Sequence, residues 1–425
     1  MSHVICKFLT AALCVVTLTV SAGSTIENWP EWRGPNGNGS AATSSFSYPV
    51  KWSGTNDFLW KTPLPGKGCS TPIVWNQQIF LTCPVDGNDG VMAIDWDGKI
   101  LWRTAFGKEV PGKHQNASGC NSSPATDGKR IYVRFKSGTF AALNFSGKVE
   151  WKLNLVDKYG KDTLWWDYGT SVVLTENEVI VSAIQGGGYS YVAAVDKKTG
   201  QVRWKVDRNF TTAEEGDNSY ATPFVFKENG KEHILVLGAE RLTAHNSDTG
   251  VQEWVYGNLN PKGVKNWPTV ASPVVADGLA IVPYARGEQL FTVKLDGRGD
   301  VSNTHGAWKQ QGTGSFVPTP AVCDGRIYVL RDKGGVDCIE IKTGKIIWRG
   351  RFEQDSSNYY GSPTIANGKL YAVREDGIIQ VAKVKDGLEA LSQNDMEERM
   401  IASPVAVSGR LLLRGEKNLF CVGQK

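Results

Sequence analysis

A carboxylate stands directly among aromatic side chains in the stretch LWWDYG, at residues 164–169. Asp167 is flanked there by Trp165, Trp166 and Tyr168. A carboxylate in such surroundings is the first candidate for a general base or a metal ligand. A lone Asp in a loop more commonly serves as a turn or cap residue. We therefore predict no catalytic residue from this stretch.

The other residue types that carry chemistry form no catalytic signature. The acidic stretch AEEGDN, residues 213–218, lacks the alternating ligand spacing of a calcium loop. The sequence contains no GxSxG motif and no P-loop. The histidines beyond residue 22 are isolated and form no HxH or HExxH motif: His114, His233, His245 and His305. The sequence therefore predicts no metal site.

The start of the chain has the pattern of a secretory signal. Lys7 precedes an apolar run over residues 8–20, and the small residues Ser21 and Ala22 follow it. We predict a cleaved signal peptide at residues 1–22 and a periplasmic or secreted mature protein. The alternative, an N-terminal membrane anchor, is disfavoured because the run is short for a bilayer. No later stretch has the ~20 apolar residues of a membrane span, so none is expected in the mature chain.

Composition excludes one class of partner and favours one class of fold. The formal net charge is +4, and the Lys and Arg residues are spread along the chain without a basic run. Nucleic-acid binding is therefore not expected. The chain contains 15 Trp, 15 Phe, 13 Tyr and 47 Gly, and short aromatic-rich runs between glycine turns favour an all-β protein.

A repeat organises these aromatic residues. Its clearest copy is AVDKKTGQVRW, residues 194–204, in which a glycine turn joins two runs and the second run carries a Trp. A Ser/Thr-Pro segment and a second turn accompany most copies. The copies, some of them partial, end at Trp60, Trp102, Trp151, Trp204, Trp254, Trp308, Trp348 and, without the tryptophan, Leu391. The chain therefore contains eight units.

Each unit is long enough for four short strands. One four-stranded sheet cannot bury both of its faces, whereas eight sheets arranged radially can. We predict an all-β, eight-bladed β-propeller of four-stranded antiparallel blades at residues 51–425. Seven blades are the alternative, because the last unit lacks its tryptophan. That unit also has only three strands, so the strand around Trp60 is predicted to complete it and close the ring.

The repeat resembles the tryptophan-docking motif of the pyrroloquinoline quinone (PQQ)-type quinoprotein β-propeller superfamily, over about residues 50–425. The segment WPEWRGPNGNG, residues 29–39, is similar to the start of many exported PQQ-repeat proteins and belongs to a predicted N-terminal arm, residues 23–50. In that family the motif tryptophan packs between neighbouring blades. The resemblance implies this structural role for Trp102, Trp151, Trp204, Trp254, Trp308 and Trp348.

The loops that enter the innermost strands of a propeller converge on one mouth of its central channel. We predict that a ligand site lies there, since these loops are rich in aromatic residues. The candidate ligand-binding residues are Lys67, Trp165, Trp166, Asp167, Tyr168, Tyr220, Trp267, Phe316, Tyr359 and Tyr360. The alternative is that these aromatic side chains fill the channel or pack between blades.

The resemblance implies two classes of function. Its superfamily includes PQQ- and calcium-dependent alcohol and sugar dehydrogenases, and also cofactor-free propellers such as the scaffold of the outer-membrane β-barrel assembly machinery. The repeats occupy nearly all of this chain and leave no insertions to build a cofactor chamber. We therefore expect a monomeric, non-catalytic propeller without a cofactor that binds a protein or glycan partner. A PQQ-dependent dehydrogenase is the alternative.

Six cysteines follow residue 22, and 15 disulfide connectivities are open to them. Cys69 and Cys120 lie at equivalent places in adjacent units, which allows an inter-blade disulfide if their Cα atoms lie within ~7 Å. The alternative for the cysteines is a packed structural role.

Overall fold

The computed structural model of the chain describes residues 27–41, 46–53 and 57–423. The predicted signal peptide at residues 1–22 lies outside the described residues. Within them the glycine turns and apolar runs form β-strands. The helical elements bounded there are α1 (Leu155–Tyr159) and a 3₁₀ turn (Ala285–Gly287).

The strands, numbered along the chain, form eight sheets, which are the blades of a ring. The first strand is β1 (Phe58–Pro63), and blades 1 to 4 follow it in chain order. Blade 1 consists of β2 (Ile73–Trp75), β3 (Gln78–Thr82), β4 (Asn88–Ile94) and β5 (Ile100–Lys108), and blade 2 of β6 (Ala125–Thr126), β7 (Ile131–Arg134), β8 (Thr139–Leu143) and β9 (Val149–Asn154). Blade 3 consists of β10 (Val173–Leu174), β11 (Glu178–Ala183), β12 (Tyr191–Asp196) and β13 (Val202–Asp207), and blade 4 of β14 (Phe224–Glu228), β15 (Lys231–Gly238), β16 (Arg241–Asn246) and β17 (Gln252–Tyr256).

Blades 5 to 8 continue the same meander. Blade 5 consists of β18 (Val274–Ala276), β19 (Leu279–Tyr284), β20 (Gln289–Lys294) and β22 (Gly306–Gln311), and blade 6 of β23 (Ala321–Cys323), β24 (Arg326–Leu330), β25 (Gly335–Glu340) and β26 (Ile346–Arg351). Blade 7 consists of β27 (Thr364–Ala366), β28 (Lys369–Val373), β29 (Ile378–Lys383) and β30 (Glu389–Asp395). Blade 8 consists of β31 (Val405–Val407), β32 (Arg410–Arg414) and β33 (Asn418–Val422) together with β1. A short strand from the degenerate repeat copy, β21 (Gly299–Asp300), pairs in parallel with β17.

The ring closes between the two ends of the chain. Strand β1 pairs antiparallel with β33, with Trp60 opposite Cys421. This pairing gives blade 8 its fourth strand and removes an unpaired sheet edge. The predicted eight-bladed propeller and its closure are confirmed, and the seven-blade alternative is wrong.

Burial follows the position of a strand within its blade. The third strand of blade 3, β12, is buried at every residue except its last, whereas the outermost strand, β13, alternates half-buried and exposed residues. Neighbouring blades pack face to face, so that one apolar cluster joins Leu235 of blade 4 to Val282 of blade 5. The core is therefore a ring of interfaces between blades.

The repeat tryptophans bridge these interfaces. The indole N–H of Trp151 in blade 2 donates to the Lys197 carbonyl in blade 3, at 2.9 Å. The turn glycine Gly200 has φ 71° and lies against the same ring, where a Cβ atom would come within 2.7 Å. Equivalent N–H donations to the next blade are made by Trp60, Trp102, Trp204, Trp254 and Trp308.

Trp348 differs from the other repeat tryptophans. Its indole nitrogen is buried and has no hydrogen-bond partner among the residues that the structure describes. In the next blade the Lys385 carbonyl, near the turn that carries Leu388, accepts from the Arg326 guanidinium instead. The junction of blades 6 and 7 therefore lacks the hydrogen bond found at the equivalent position elsewhere.

The N-terminal arm crosses the ring on the side of the inner strands. Trp29 exchanges two backbone hydrogen bonds with Val74 in blade 1, both 2.8 Å. Arg33, almost fully buried, donates to the Pro363 carbonyl in blade 7 at 2.9 Å. Between these contacts Trp32 reaches the central channel, where it lines the cavities on both sides of it.

Candidate functional site

A closed ring of hydrogen bonds surrounds the central channel. Each blade contributes one Ser or Thr, which stands before proline in seven of the eight cases. The backbone N–H of each donates to the hydroxyl oxygen of the next at 2.9–3.3 Å, and Ser403 of blade 8 returns to Thr71 of blade 1. The ring consists of Thr71, Ser123, Ser171, Thr222, Ser272, Thr319, Ser362 and Ser403. We call it the hydroxyl ring.

Above the hydroxyl ring the channel widens into a cavity of about 470 Å³, which we call the funnel. All eight ring residues line it, and so does Trp32 of the arm. A second cavity of about 280 Å³ lies between the arm and blades 3 to 5 and shares Trp32. The funnel therefore has an open mouth and an end occupied by the arm.

Asp167 lines the funnel but is committed to structure. Its carboxylate accepts the backbone N–H of Lys113 at 2.7 Å and that of His114 at 3.1 Å. It also forms a buried ion pair with Lys136. The two backbone donors fix the loop of residues 109–124 to the loop before blade 3, and Lys136 ties the latter loop to blade 2. Together the three donors leave the carboxylate little capacity for a base or a metal. These contacts favour the interpretation of Asp167 as a residue that organises loops over its interpretation as a general base or metal ligand.

The two adjacent tryptophans of this loop face different surroundings. Trp166 lines the funnel, is 46% exposed and meets His114 edge to face at 5.4 Å between ring centroids. Trp165 is 65% exposed and lies outside the funnel lining. Their backbone N–H groups are held by the Asn218 side chain at 3.0 Å and the Tyr220 hydroxyl at 2.9 Å. Both rings are thus presented by a fixed backbone.

Three further candidates line the funnel wall. Tyr220 combines a half-buried ring with the hydroxyl that holds Trp166, and burial raises its pKa. Phe316 lies under the Arg286 guanidinium, 4.3 Å from the ring centroid. Tyr360 is half-buried, and its hydroxyl accepts from the Asn358 amide at 3.0 Å. The wall therefore carries aromatic faces on both sides of the axis.

Two tyrosine candidates do not line the funnel but belong to the core. Tyr168 lies under the Arg134 guanidinium at 3.6 Å and donates its hydroxyl to the Ser182 carbonyl at 2.8 Å. Tyr359 is 2% exposed and stacks on Phe352. Adjacent loop residues point in opposite directions, so that Tyr360 faces the funnel and Tyr359 the blade interface.

Trp267 and Lys67 lie beside the mouth. Trp267 is partly buried against the core between blades 4 and 5 and meets Tyr284 edge to face at 6.0 Å. The Lys67 ammonium pairs with Glu416 at 3.2 Å and also donates to the Gln115 carbonyl. It therefore ties two loops of the rim together.

Sequence reasoning missed several residues of the funnel wall. Trp32 comes from the N-terminal arm, outside the repeats. No local sequence pattern indicates that the arm crosses the ring and brings this side chain to the central channel. Arg286 belongs to a turn between β19 and β20, which the search along the inner-strand loops did not cover. His114, Asn116 and Asn121 do lie on one of those loops. Their polar side chains were the only signal available.

The described cysteines are all free thiols: Cys69, Cys83, Cys120, Cys323, Cys338 and Cys421. The predicted option of a Cys69–Cys120 disulfide is not realised. The backbone N–H of Cys69 does reach the Cys120 carbonyl at 3.2 Å, but its Sγ donates to the Asn116 carbonyl at 3.1 Å. Burial raises the Cys69 pKa to about 11, so its thiol is a poor nucleophile.

The donor set around the funnel does not fit a calcium-bound quinone. Calcium takes roughly six to eight oxygen ligands, with carboxylates among them. Within residues 27–41, 46–53 and 57–423, no group of three or more His, Cys, Asp or Glu side chains could hold a metal ion. The carboxylates that line the funnel are Asp167, with its three donors, and Glu215. These side chains therefore do not supply the ligand set that such a cofactor requires.

The loops around the mouth are asymmetric. Four consecutive loops, 109–124, 155–172, 208–223 and 257–273, are long, whereas the four that follow, 312–320, 352–363, 396–404 and 64–72, are shorter. The long loops carry the exposed apolar side chains of Val110, Trp165, Trp166 and Val264. The half of the rim formed by the long loops, which we call the raised half, therefore exposes these apolar side chains beside charged ones such as Lys265 and Glu214. In the described part of the chain no helix has the length and hydropathy to cross a bilayer.

Similarity to solved structures agrees with this architecture. BamB from Moraxella catarrhalis shares 13% identity and a TM-score of 0.56, covering 83% of this chain and 99% of that one. The quinohemoprotein alcohol dehydrogenase from Comamonas testosteroni shares 14% identity and a TM-score of 0.68, covering 94% and 81%. At such identities the likeness concerns the fold alone. The two similar structures are an assembly factor and a dehydrogenase, so this likeness does not distinguish the two classes of function.

Sequence similarity points to one family. The outer membrane protein assembly factor BamB of Shewanella oneidensis is 23% identical over 228 residues, which cover 49% of this chain and 50% of that protein. The match thus spans about half the length of this relative. A family model described as outer membrane protein assembly factor BamB matches residues 41–205, 166–307 and 287–423. These matches take in nearly the whole ring, and the chain therefore belongs to this family of PQQ-type β-propellers.

Proposed function

We propose that this protein is an exported, non-catalytic scaffold that binds a protein partner through the raised half of its rim. The observation that carries the proposal is the set of exposed apolar side chains on the four long loops, with Trp165 the most exposed among them. Interfaces concentrate their binding energy in a few well-placed aromatic residues.

The backbone around Trp165 supports the same proposal. The side chains of Asn218 and Tyr220, from the next long loop, hold residues 165 and 166, and Asp167 joins this loop to the preceding one. A surface that is ordered before binding loses less conformational entropy when a partner arrives. Relatives of this chain are named as outer membrane protein assembly factors. The favoured class of partner is therefore a protein of outer-membrane assembly that this protein meets in the periplasm.

In vivo photocrosslinking tests this proposal. A photoreactive amino acid is introduced at position 165 in an exporting bacterial host, and the adducts are identified by mass spectrometry. The matched control is position 347, since Ile347 is exposed on the outer strand of blade 6. We expect one dominant protein adduct at position 165 that position 347 does not give. Equal labelling from both positions would contradict the proposal.

A dehydrogenase remains the second candidate because of the fold it shares with the quinohemoprotein. Purified protein is mixed with PQQ and calcium, and dye-linked oxidation of alcohols and sugars is recorded. We expect neither stoichiometric binding nor turnover, because Asp167 is occupied by its three donors. Binding with turnover would overturn the scaffold proposal.

A further inference from the structure

We propose that the funnel itself binds the end of a neutral oligosaccharide, at a site that shares only Trp166 with the exposed apolar side chains of the rim. The inference does not depend on the proposed protein partner, because it concerns the inside of the funnel. It rests on the hydrogen-bonding state of the hydroxyl ring, on the charges of the wall and on one exposed tryptophan.

The hydroxyl ring offers donors to a ligand. Each ring hydroxyl oxygen already accepts a backbone N–H from the neighbouring blade. A hydroxyl group has one proton to donate, and no acceptor within the described chain receives the proton of any of these eight. All eight residues are more than nine-tenths buried and line the funnel. Ligand oxygen atoms can therefore accept hydrogen bonds there in a site shielded from bulk water.

The charged groups of the funnel favour a neutral ligand. The Asp167 carboxylate is neutralised by Lys136. The Arg286 guanidinium lies over Phe316 and donates to the Asn266 carbonyl at 3.2 Å. Arg286 and Glu215 place single charges of opposite sign in the lining, and no cluster of cations lines the wall to attract phosphate or carboxylate groups. Hydroxyl and ring oxygens of a sugar match this donor set.

Trp166 supplies the apolar face that a sugar ring requires. It is 46% exposed, lines the funnel, and its backbone N–H is held by Tyr220. An indole face packs well against the C–H face of a sugar ring while the ring's hydroxyls bond elsewhere. The Asn116 side chain lines the same cavity, and its amide oxygen accepts no hydrogen bond from the described residues. The funnel thus combines one aromatic platform with neutral hydrogen-bonding groups.

The shape of the funnel indicates how the ligand enters. Its volume of about 470 Å³ is within the ~300–1,000 Å³ typical of small-molecule sites. Trp32 lines both the funnel and the second cavity, at the place where the arm crosses the channel. A short oligosaccharide, or the free end of a longer glycan, is therefore the ligand that fits.

Binding measurements with defined sugars test the inference. Purified protein is screened against cello-, xylo-, malto- and chito-oligosaccharides, with oligogalacturonates as charged controls, and hits are quantified by isothermal titration calorimetry. We expect a neutral oligosaccharide to bind, and Trp166→Ala to weaken it on the order of tenfold. Trp165→Ala is the matched control and should change the affinity less than twofold. Trp166→Phe should recover part of the loss.

A second measurement uses only the wild-type protein and so does not depend on whether a variant folds. Oxidative footprinting compares Trp165 and Trp166 with and without the best oligosaccharide. Protection of Trp166 alone would support the inference. Equal protection of both residues, preference for the charged sugars, or no binding of any neutral oligosaccharide at millimolar concentration would overturn it. A failed crosslinking experiment at position 165 would instead count against the protein partner.

Discussion

At the scale of single residues, the buried pair of Asp167 and Lys136 holds loops of the rim together. Asp167 and Lys136 are both nearly inaccessible and pair with each other. The Lys136 ammonium also donates to the Pro111 carbonyl at 2.7 Å. An ion pair of this kind stabilises little by itself, but removing one partner leaves a buried charge uncompensated.

Asp167→Asn should therefore lower the free energy of unfolding by roughly 3–5 kcal/mol. The double variant Asp167→Asn/Lys136→Met should lose less than the single variant, because no unpaired ammonium remains. Chemical unfolding followed by tryptophan fluorescence measures both. A double variant that is less stable than Asp167→Asn would show that the ion pair is not the main contribution of Asp167.

His245 determines part of the pH dependence of stability. It is 2% exposed and contacts the Thr243 hydroxyl and the Gly250 carbonyl, each at 3.0 Å. Burial lowers its pKa to about 4 from the ordinary 6.5. Below pH 6.5 the unfolded chain protonates this group before the folded chain does, so its contribution to stability is lost as the pH falls from 6.5 towards 4.

Between pH 7 and pH 4.5 this single group should cost ~2–3 kcal/mol of stability. His245→Gln should lose less stability over the same interval than the wild type does. Unfolding curves at both pH values for both proteins measure the difference, since the other titrating groups are common to them. An identical pH dependence in the two proteins would contradict this assignment.

At the scale of elements, the blades are joined by the Trp strand of one and the glycine turn of the next. The indole N–H of Trp254 donates to the Leu295 carbonyl at 3.1 Å in a fully buried position. Trp348 has an equivalent place but no acceptor for its N–H among the described residues. A buried donor without a partner carries a desolvation cost instead of a net gain.

Trp254→Phe should consequently cost about 1 kcal/mol more than Trp348→Phe, since both changes remove similar volume but only the first breaks a hydrogen bond. Thermal unfolding of the two variants beside the wild type measures this. Equal destabilisation would mean that ring packing alone holds the blades together at both junctions.

At the scale of the whole molecule, the arm joins distant blades across the channel. Glu31 lies in the cavity beneath Trp32. Burial raises its pKa to about 7 from the model-peptide value of 4.5, although Lys197 acts in the opposite direction. The docked arm therefore prefers the protonated carboxyl. Docking is strongest below pH 4.5 and weakens as the pH rises through 7.

Amide hydrogen exchange of residues 27–41, corrected for the intrinsic rates, should be on the order of tenfold faster relative to the blades at pH 8 than at pH 5. Glu31→Gln should show little of this change, because the neutral amide does not ionise. Exchange that rises equally in both proteins would assign the effect to another group.

The sequence alone favoured eight blades over seven and predicted their strand order and the closure of the ring, and the structure excluded the seven-blade alternative. Those features depend on local turn residues and on a repeat that recurs eight times, and both can be read directly from the amino-acid sequence. It also predicted that the inner-strand loops of Trp166, Tyr220, Phe316 and Tyr360 meet at one mouth. These residues precede equivalent strands and therefore come to equivalent positions around the axis.

Only the tertiary structure decided what those residues do there. In the folded protein the Tyr359 side chain lies in the core and the Tyr360 side chain lines the funnel, because neighbouring loop residues point in opposite directions. The tertiary structure neutralised Asp167 with a lysine more than thirty residues earlier in the chain. It also brought Trp32 from the arm to the end of the channel. Contacts between groups far apart in the chain depend on how all eight blades pack, and no local pattern encodes them.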